Sequence, residues 1–145
     1  MIEFYEAWIF KAENDLETAE VMVHRDKPIT DTAIYHTQQC AEKVLKGFLA
    51  YHQAEIRKTH NLVALVEQCA AIDFSFESLL SEADELTPMG TEFRYPDDFE
   101  EIDNLTQLVP SIEEVETAIA QARRILDFVK SRISNAIGKT VSVCG

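Results

Sequence analysis

The sequence predicts an all-α fold, an up-and-down bundle of about five helices. Three observations lead to this prediction. Glycine and proline occur only four times each in 145 residues, and so few chain-breaking residues favour long helices over many short strands. Apolar residues recur at helical spacing in three long segments. The length suits one domain, which we place at residues 1–136. The small and polar residues 137–145 are expected to form a disordered tail.

The first two helices follow clear amphipathic patterns. The first helix is predicted over about residues 2–24 and ends before Pro28, because the residue before a proline disfavours the α region. The second helix is predicted to begin at Thr30 or Asp31, either of which can cap it, and to end near His52. Its apolar residues fill roughly half of the helical wheel, which indicates contact with two or more neighbouring elements.

Two shorter helices and a long loop are predicted in the middle of the chain. The third helix is expected to begin near Thr59 or His60, and the fourth to cover about residues 76–86. Residues 91–110 show no clear periodicity and combine many acids with several aromatic residues. Loops of this length without regular structure are usually either functional or disordered.

The last helix has the strongest start signal in the chain. Ser111 and Glu114 form a capping box directly after a proline. We expect the helix to run to about Asn135. It carries a single apolar stripe made of Ile112, Val115, Ala118, Ile119, Ala122, Leu126, Val129 and Ile133.

The charge of the chain limits the partners that it can bind. The formal net charge of −13 disfavours non-specific binding to DNA and RNA backbones. The charge is uneven, however. Residues 31–60 hold three acids and four bases, a net charge of +1, whereas residues 61–110 hold twelve acids and one base, Arg94. A small anion pocket is therefore compatible with this sequence, and a broad basic track is not.

Cysteine usage and the N-terminus indicate the cellular context. The three cysteines are far apart and form no CxxC pair, which argues against a zinc site or a disulfide framework. We therefore expect neither a metal nor a cofactor. The N-terminal segment lacks the pattern of a signal peptide, and no apolar run approaches membrane-spanning length. These features favour a cytoplasmic protein without membrane contact.

A polar arc on the second helix is the first candidate site. His36, Gln39, Lys43 and Lys46 fall within about 80° of one helical wheel. Lysine supplies positive charge for a phosphate, glutamine can read a base edge, and histidine can change its charge near neutral pH. The alternative interpretation is an ordinary solvated helix face.

Two further candidate pairs lie outside this arc. Lys58 and His60 precede a helix whose N-terminal amides favour anions; the alternative is a plain helix start with a histidine at the edge of the core. Arg94 can donate two parallel hydrogen bonds to a phosphate while Tyr95 stacks on a base. The alternative for Arg94 is an ion pair with a nearby acid such as Asp97, which would pin the loop.

Three sequence elements together resemble the HEPN family of helical domains. The run QQCAEKVLK at residues 38–46 is similar to the family's signature on its second long helix. The run THNL at residues 59–62 and the run RYPD at residues 94–97 are similar to its two other common elements. The resemblance extends over about residues 5–133.

The resemblance implies a helical bundle that dimerises and is often encoded beside a small nucleotidyltransferase, in arrangements like toxin–antitoxin pairs. Some members are metal-independent ribonucleases, in which a histidine follows an arginine after about five to seven residues. No arginine of this sequence has a histidine at that spacing. Our leading hypothesis is therefore a non-catalytic, dimeric module that binds a nucleotide or RNA and acts with a nucleotidyltransferase.

Two alternatives stay open at this point. One is an endoribonuclease toxin in which Arg94, His60 and His36 come together in space despite their order in the sequence. The other is a pure protein-interaction module, whose polar arc contacts only another helix.

Overall fold

The computed structural model describes residues 1–144, with side chains described for residues 1–138. All regular secondary structure in this range is helical, which confirms the predicted fold class. The α-helices are α1 (Phe4–Val23), α2 (Thr30–Tyr51), α3 (Leu62–Ala70), α4 (Leu80–Leu86) and α5 (Ile112–Cys144). Short 3₁₀ helices cover Phe74–Leu79, Thr87–Gly90, Pro96–Asp98 and Leu105–Leu108.

The central element of the bundle is α2. It packs against α1, α3, α5 and the 3₁₀ turn Thr87–Gly90, which explains why its apolar face is so wide. Every residue in the apolar half of its wheel is buried: Ala33, Ile34, Cys40, Ala41, Val44, Leu45, Phe48 and Leu49. The ring of Phe48 lies 4.3 Å from that of Phe76, which lies 5.0 Å from that of Phe128 on α5. This aromatic row joins α2 to α5.

The long helices lie close to their predicted positions, and their caps differ in detail. The N-cap of α2 is Ile29, so neither Thr30 nor Asp31 caps the helix; Thr30 is its buried first residue. The predicted capping box of α5 is present, because Ser111 Oγ accepts a hydrogen bond from the backbone of Glu114 and the Glu114 side chain accepts one from the backbone of Ser111.

Three other segments depart from the predicted boundaries. The third helix begins at Leu62, with Asn61 as its N-cap. The predicted fourth helix becomes α-helical only at Leu80, and the residues before it form a 3₁₀ helix that the Asp73 side chain caps. Helix α5 continues beyond Asn135 to Cys144. Disorder of residues 137–145 in solution stays a prediction, and Gly145 lies outside the described residues. No helix in the described part of the chain is both long and apolar enough to cross a membrane.

A glycine allows α1 and α2 to approach closely. A Cβ atom at Gly47 would lie 3.2 Å from Cβ of Trp8 and 3.5 Å from the backbone oxygen of Tyr5. The second glycine in a long helix, Gly138, has nothing within 4 Å of the same position. The two glycines therefore have different roles, although both lie inside helices.

Substitution at these two glycines tests the close packing of α1 on α2. We expect Gly47→Val to lower the free energy of unfolding by about 1–3 kcal/mol, since overpacking forces neighbouring atoms apart. The matched control Gly138→Val should change it little, because valine is no worse than glycine in an open helix position. Urea denaturation followed by circular dichroism measures both. Equal effects at the two positions would contradict the packing argument.

Candidate functional site

The bases in the polar arc of α2 contact two different buried carboxylates. The first is Asp15 on α1, which faces α2 at the edge of the apolar stripe. Nδ1 of His36 donates to Asp15 Oδ1 at 2.7 Å, and Nζ of Lys43 donates to Asp15 Oδ2 at 2.7 Å. Both bases are thereby tied to α1, and the charge of Lys43 is paired with that of Asp15.

The same contacts set the protonation of Asp15. Burial alone would raise the pKa of this carboxyl, but the hydrogen bonds from His36 and Lys43 outweigh burial and hold the pKa below its usual range. Asp15 is therefore ionised at neutral pH. The Asp15 cluster acts as a polar tie between α1 and α2 rather than as an open anion site.

The second carboxylate, Glu42, is only 6% exposed. Its Oε2 accepts from Lys46 Nζ at 3.1 Å, and its Oε1 accepts from His60 Nδ1 at 2.8 Å. The neighbouring Gln38 is fully buried, and its Nε2 donates to the backbone oxygen of His60 at 3.1 Å. Gln38 Oε1 in turn accepts from Gln39 Nε2 at 2.8 Å. The signature run on α2 thus builds one hydrogen-bonded network that fixes His60.

Arg94 lies at a small cavity beside this network. The cavity has a volume of about 150 Å³ and lies between α2, His60 and the segment that follows α4. The Arg94 guanidinium lies 4.5 Å from the ring centroid of Tyr35 and 5.6 Å from that of Tyr95, as in cation–π contacts. The residues lining the cavity are Tyr35, Gln38, Gln39, His60, Thr87, Gly90, Thr91 and Arg94.

The charge of Arg94 is not neutralised by a neighbouring acid. Among the described residues, no carboxylate forms an ion pair with it, and the pairing with Asp97 considered from the sequence is not formed. His36, Lys43 and Lys46, by contrast, all contact a carboxylate. Among the lining residues of the cavity, Arg94 is therefore the permanently charged cation, and in the described part of the chain no ion pair competes with an anion for it.

A glycine lets the segment after α4 pack closely on α2 beside the cavity. A Cβ atom at Gly90 would lie 2.9 Å from both Cδ and Oε1 of Gln38, so any side chain there would displace Gln38. The start of the segment is also fixed, since Thr87 Oγ1 donates to the backbone of Ala83 and accepts from the backbone of Leu62. These contacts place Arg94 over Tyr35.

His60 is presented to solvent in one defined orientation. Its side chain is 83% exposed, although the carboxylate that holds it is buried. Because Nδ1 points at Glu42, Nε2 is the ring nitrogen available to a ligand. A carboxylate-held imidazole can donate to an anion or exchange a proton with it.

The structure brings three of the eight predicted site residues together at one cavity: Gln39, His60 and Arg94. Tyr95 is exposed and contacts Arg94 without lining the cavity, and Lys58 is exposed near His60 in the sequence. The remaining three, His36, Lys43 and Lys46, lie on the buried carboxylates and do not line the cavity.

Sequence reasoning missed several residues that define this geometry. Asp15 carried a usable signal, since it is an acid beside Leu16 in the apolar stripe of α1 and faces a helix that bears lysines. Tyr35 and Gly90 carried none, because their contacts depend on segments far apart in the chain.

Thiol and metal chemistry find little support in the described residues. Burial raises the pKa of the Cys40 thiol to about 12 and raises that of Cys69 as well, so neither is a thiolate at neutral pH. Among the described residues, no group of three or more His, Cys, Asp or Glu side chains is placed to hold a metal ion.

Substitution of Asp15 tests the tie between α1 and α2. Asp15→Asn should lower the free energy of unfolding at pH 7 by about 1–3 kcal/mol, because it leaves the donors of His36 and Lys43 without a charged acceptor. A carboxyl whose pKa is lowered by folding stabilises the folded state above the unfolded-state pKa, about 3.9. This contribution is lost as the pH falls through the folded-state pKa.

The deficit of the variant relative to the wild type should therefore shrink as the pH is lowered from 7 towards 3 in urea denaturation series. Asp26→Asn is the matched control, since Asp26 is exposed, and should change stability by less than about 0.5 kcal/mol. A deficit that stays constant with pH would show that Asp15 does not act through its charge.

Comparison with known proteins agrees with this architecture. The model of the HEPN domain family matches residues 5–132. The structure is similar to that of ST0689, an archaeal HEPN homologue, with 30% sequence identity and a TM-score of 0.69 over 92% of this chain and 99% of that one. It is also similar to TT1696 from Thermus thermophilus, with 24% identity and a TM-score of 0.76 over 90% and 98% of the two chains. The comparison with curated proteins gave no match. The resemblance read from the sequence is confirmed, and the chain belongs to the HEPN domain family.

Proposed function

We propose that this HEPN domain is a non-catalytic module that binds a nucleotide or RNA in the Arg94 cavity. In this proposal it works as a dimer with a nucleotidyltransferase partner, in an arrangement of the toxin–antitoxin type. The observation that carries the binding proposal is the guanidinium of Arg94, free of carboxylates and stacked on Tyr35 beside His60.

The side chains around the cavity supply complementary recognition groups. The guanidinium of Arg94 matches the paired oxygens of a phosphate, and His60 in its imidazolium form adds a second donor at Nε2. Gln39 already uses its Nε2 on Gln38, so its Oε1 is left to accept from an exocyclic amino group of a base. The exposed ring of Tyr95, which contacts Arg94, offers a stacking surface next to it.

The distribution of charge supports a small site rather than a long one. Asp15 and Glu42 neutralise the lysines of the α2 arc, so attraction for an anion depends on Arg94, with the exposed Lys58 nearby in the sequence. Together with the net charge of −13, this favours contact with one or two phosphates, not with an extended backbone.

The partner and dimer parts of the proposal rest on the family. HEPN domains commonly dimerise, and α1 exposes the apolar side chains Phe4, Phe10 and Val21. The nucleotidyltransferase partner and the toxin–antitoxin role are carried over from the resemblance alone.

A metal-independent ribonuclease is the second candidate, and one observation favours it. Arg94 and His60 line the same cavity although they are far apart in the sequence. The imidazole is held through Nδ1 by the buried Glu42, which leaves Nε2 free to take a proton from a ribose 2′-hydroxyl. His36, which this alternative also invoked, lies on Asp15 outside the cavity.

Isothermal titration with ATP, AMP and short single-stranded RNAs tests the binding proposal. We expect binding by the wild type and about tenfold weaker binding by Arg94→Ala, since a charge-assisted hydrogen-bond pair is lost. Arg57→Ala removes an exposed arginine outside the cavity and serves as the matched control, with affinity within about twofold of the wild type.

No binding of any of these ligands up to millimolar concentration would contradict the proposal. The same RNAs incubated with the protein and a chelator separate the two candidates. Intact RNA agrees with a binding module, whereas cleavage that His60→Ala abolishes would establish the ribonuclease instead.

A further inference from the structure

We infer that the Arg94 cavity recognises a terminal phosphate group, at the end of an RNA chain or on a mononucleotide, and excludes the phosphodiesters inside a strand. This inference rests on the proposed function and names the ligand class of the same site. It depends on three features of the site: the small volume of a tightly packed cavity, its few donors, and the acids near Arg94 in the sequence.

Gln38 and Gly90 form a tightly packed part of the cavity wall. A Cβ atom on Gly90 would lie 2.9 Å from the Gln38 side chain, so the wall has no spare room at this contact. Helix α2, His60 and Thr87–Arg94 supply the rest of the lining. The close contact between α2 and the segment after α4 therefore keeps the cavity small, which favours a single phosphate group over a longer stretch of nucleic acid.

The small volume of the cavity also favours a single terminal phosphate group. Its volume is about 150 Å³, which is less than the roughly 300–1,000 Å³ of pockets that enclose whole small ligands. A single phosphate group therefore fits inside, while the attached nucleoside stays at the mouth. An internal phosphodiester carries a nucleoside on both sides and would have to bring two of them to the opening.

The donors of the cavity suit the higher charge of a terminal phosphate. A phosphate monoester carries about −1.5 to −2 charges near neutral pH, compared with a single charge on a diester. Arg94, His60 and Thr91 line the cavity, and each carries a side-chain group that can donate to such a phosphate, His60 in its imidazolium form. Glu42, the carboxylate behind His60, is neutralised by Lys46 and does not oppose it.

The acids close to Arg94 in the sequence disfavour a continuing strand. Glu92, Asp97 and Asp98 flank Arg94 in the sequence and are exposed, so they repel the next phosphates of a bound chain. The exposed ring of Tyr95 remains available to stack on the terminal base. The site thus favours one phosphate and one base over a run of nucleotides.

Fluorescence anisotropy with labelled oligouridylates of identical length tests this inference. One oligonucleotide carries a 5′-phosphate, one carries a 3′-phosphate with a 5′-hydroxyl, and one has hydroxyl groups at both ends; unlabelled uridine monophosphate serves as a competitor. We expect at least one of the phosphorylated oligonucleotides to bind about tenfold more tightly than the hydroxyl-ended one. The hydroxyl-ended chain has no phosphate monoester and therefore lacks the charge-assisted contacts to it. Effective competition by the mononucleotide would identify a free nucleotide as the ligand, and weak competition a chain end.

Variants link the preference to the cavity. Arg94→Ala should remove the preference for a phosphorylated end, Arg94→Lys should keep only part of it because lysine lacks the planar fork, and Arg57→Ala should keep it in full. Circular dichroism confirms that each variant is folded. Equal affinity for phosphorylated and hydroxyl-ended chains would overturn the inference and leave the proposed function standing, whereas failure of every nucleotide and RNA to bind would overturn both.

Discussion

The buried carboxylate of Glu42 is the interaction on which the candidate site depends. It accepts hydrogen bonds from Lys46 and from Nδ1 of His60, while Gln38 holds the backbone of the same histidine. A buried charge is stable only when such partners surround it. The partners are therefore fixed in place, and so is the unused nitrogen of His60. Without this carboxylate, His60 would be an exposed side chain with no defined orientation.

The fold provides this carboxylate because α2 is packed on several sides. A helix exposed to solvent on one face would leave Glu42 in water, where an ion pair with a lysine contributes little. Here the segment after α4 covers α2 at the contact of Gly90 with Gln38, and α1 supplies Asp15 for the remaining bases. The same packing that buries the apolar half of α2 thus brings most bases of its polar arc into contact with buried carboxylates. Arg94, carried by another segment, lines the cavity without an ion pair among the described residues.

These two roles of α2 explain which features could be predicted from the sequence and which could not. The helices and the apolar residues of α2 could be predicted because they follow a local period, and all but Ile112 of the apolar stripe on α5 is buried as expected. The separation of His36 and Lys43 from His60 could not be predicted. It depends on two carboxylates, Asp15 on α1 and the buried Glu42 of α2 itself. The stacking of Arg94 on Tyr35 likewise depends on the path of a loop without periodicity.

The imidazole tautomers of His36 and His60, measured by ¹⁵N NMR at a pH where the rings are neutral, test the central claim most directly. The claim is that two buried carboxylates hold these rings through Nδ1 and leave only His60 facing a ligand. The account predicts the Nδ1–H tautomer at both residues, a change at His60 but not at His36 in Glu42→Gln, and a shift confined to His60 when uridine monophosphate is added. The Nε2–H tautomer at His60, or a ligand shift at His36 in place of His60, would contradict it.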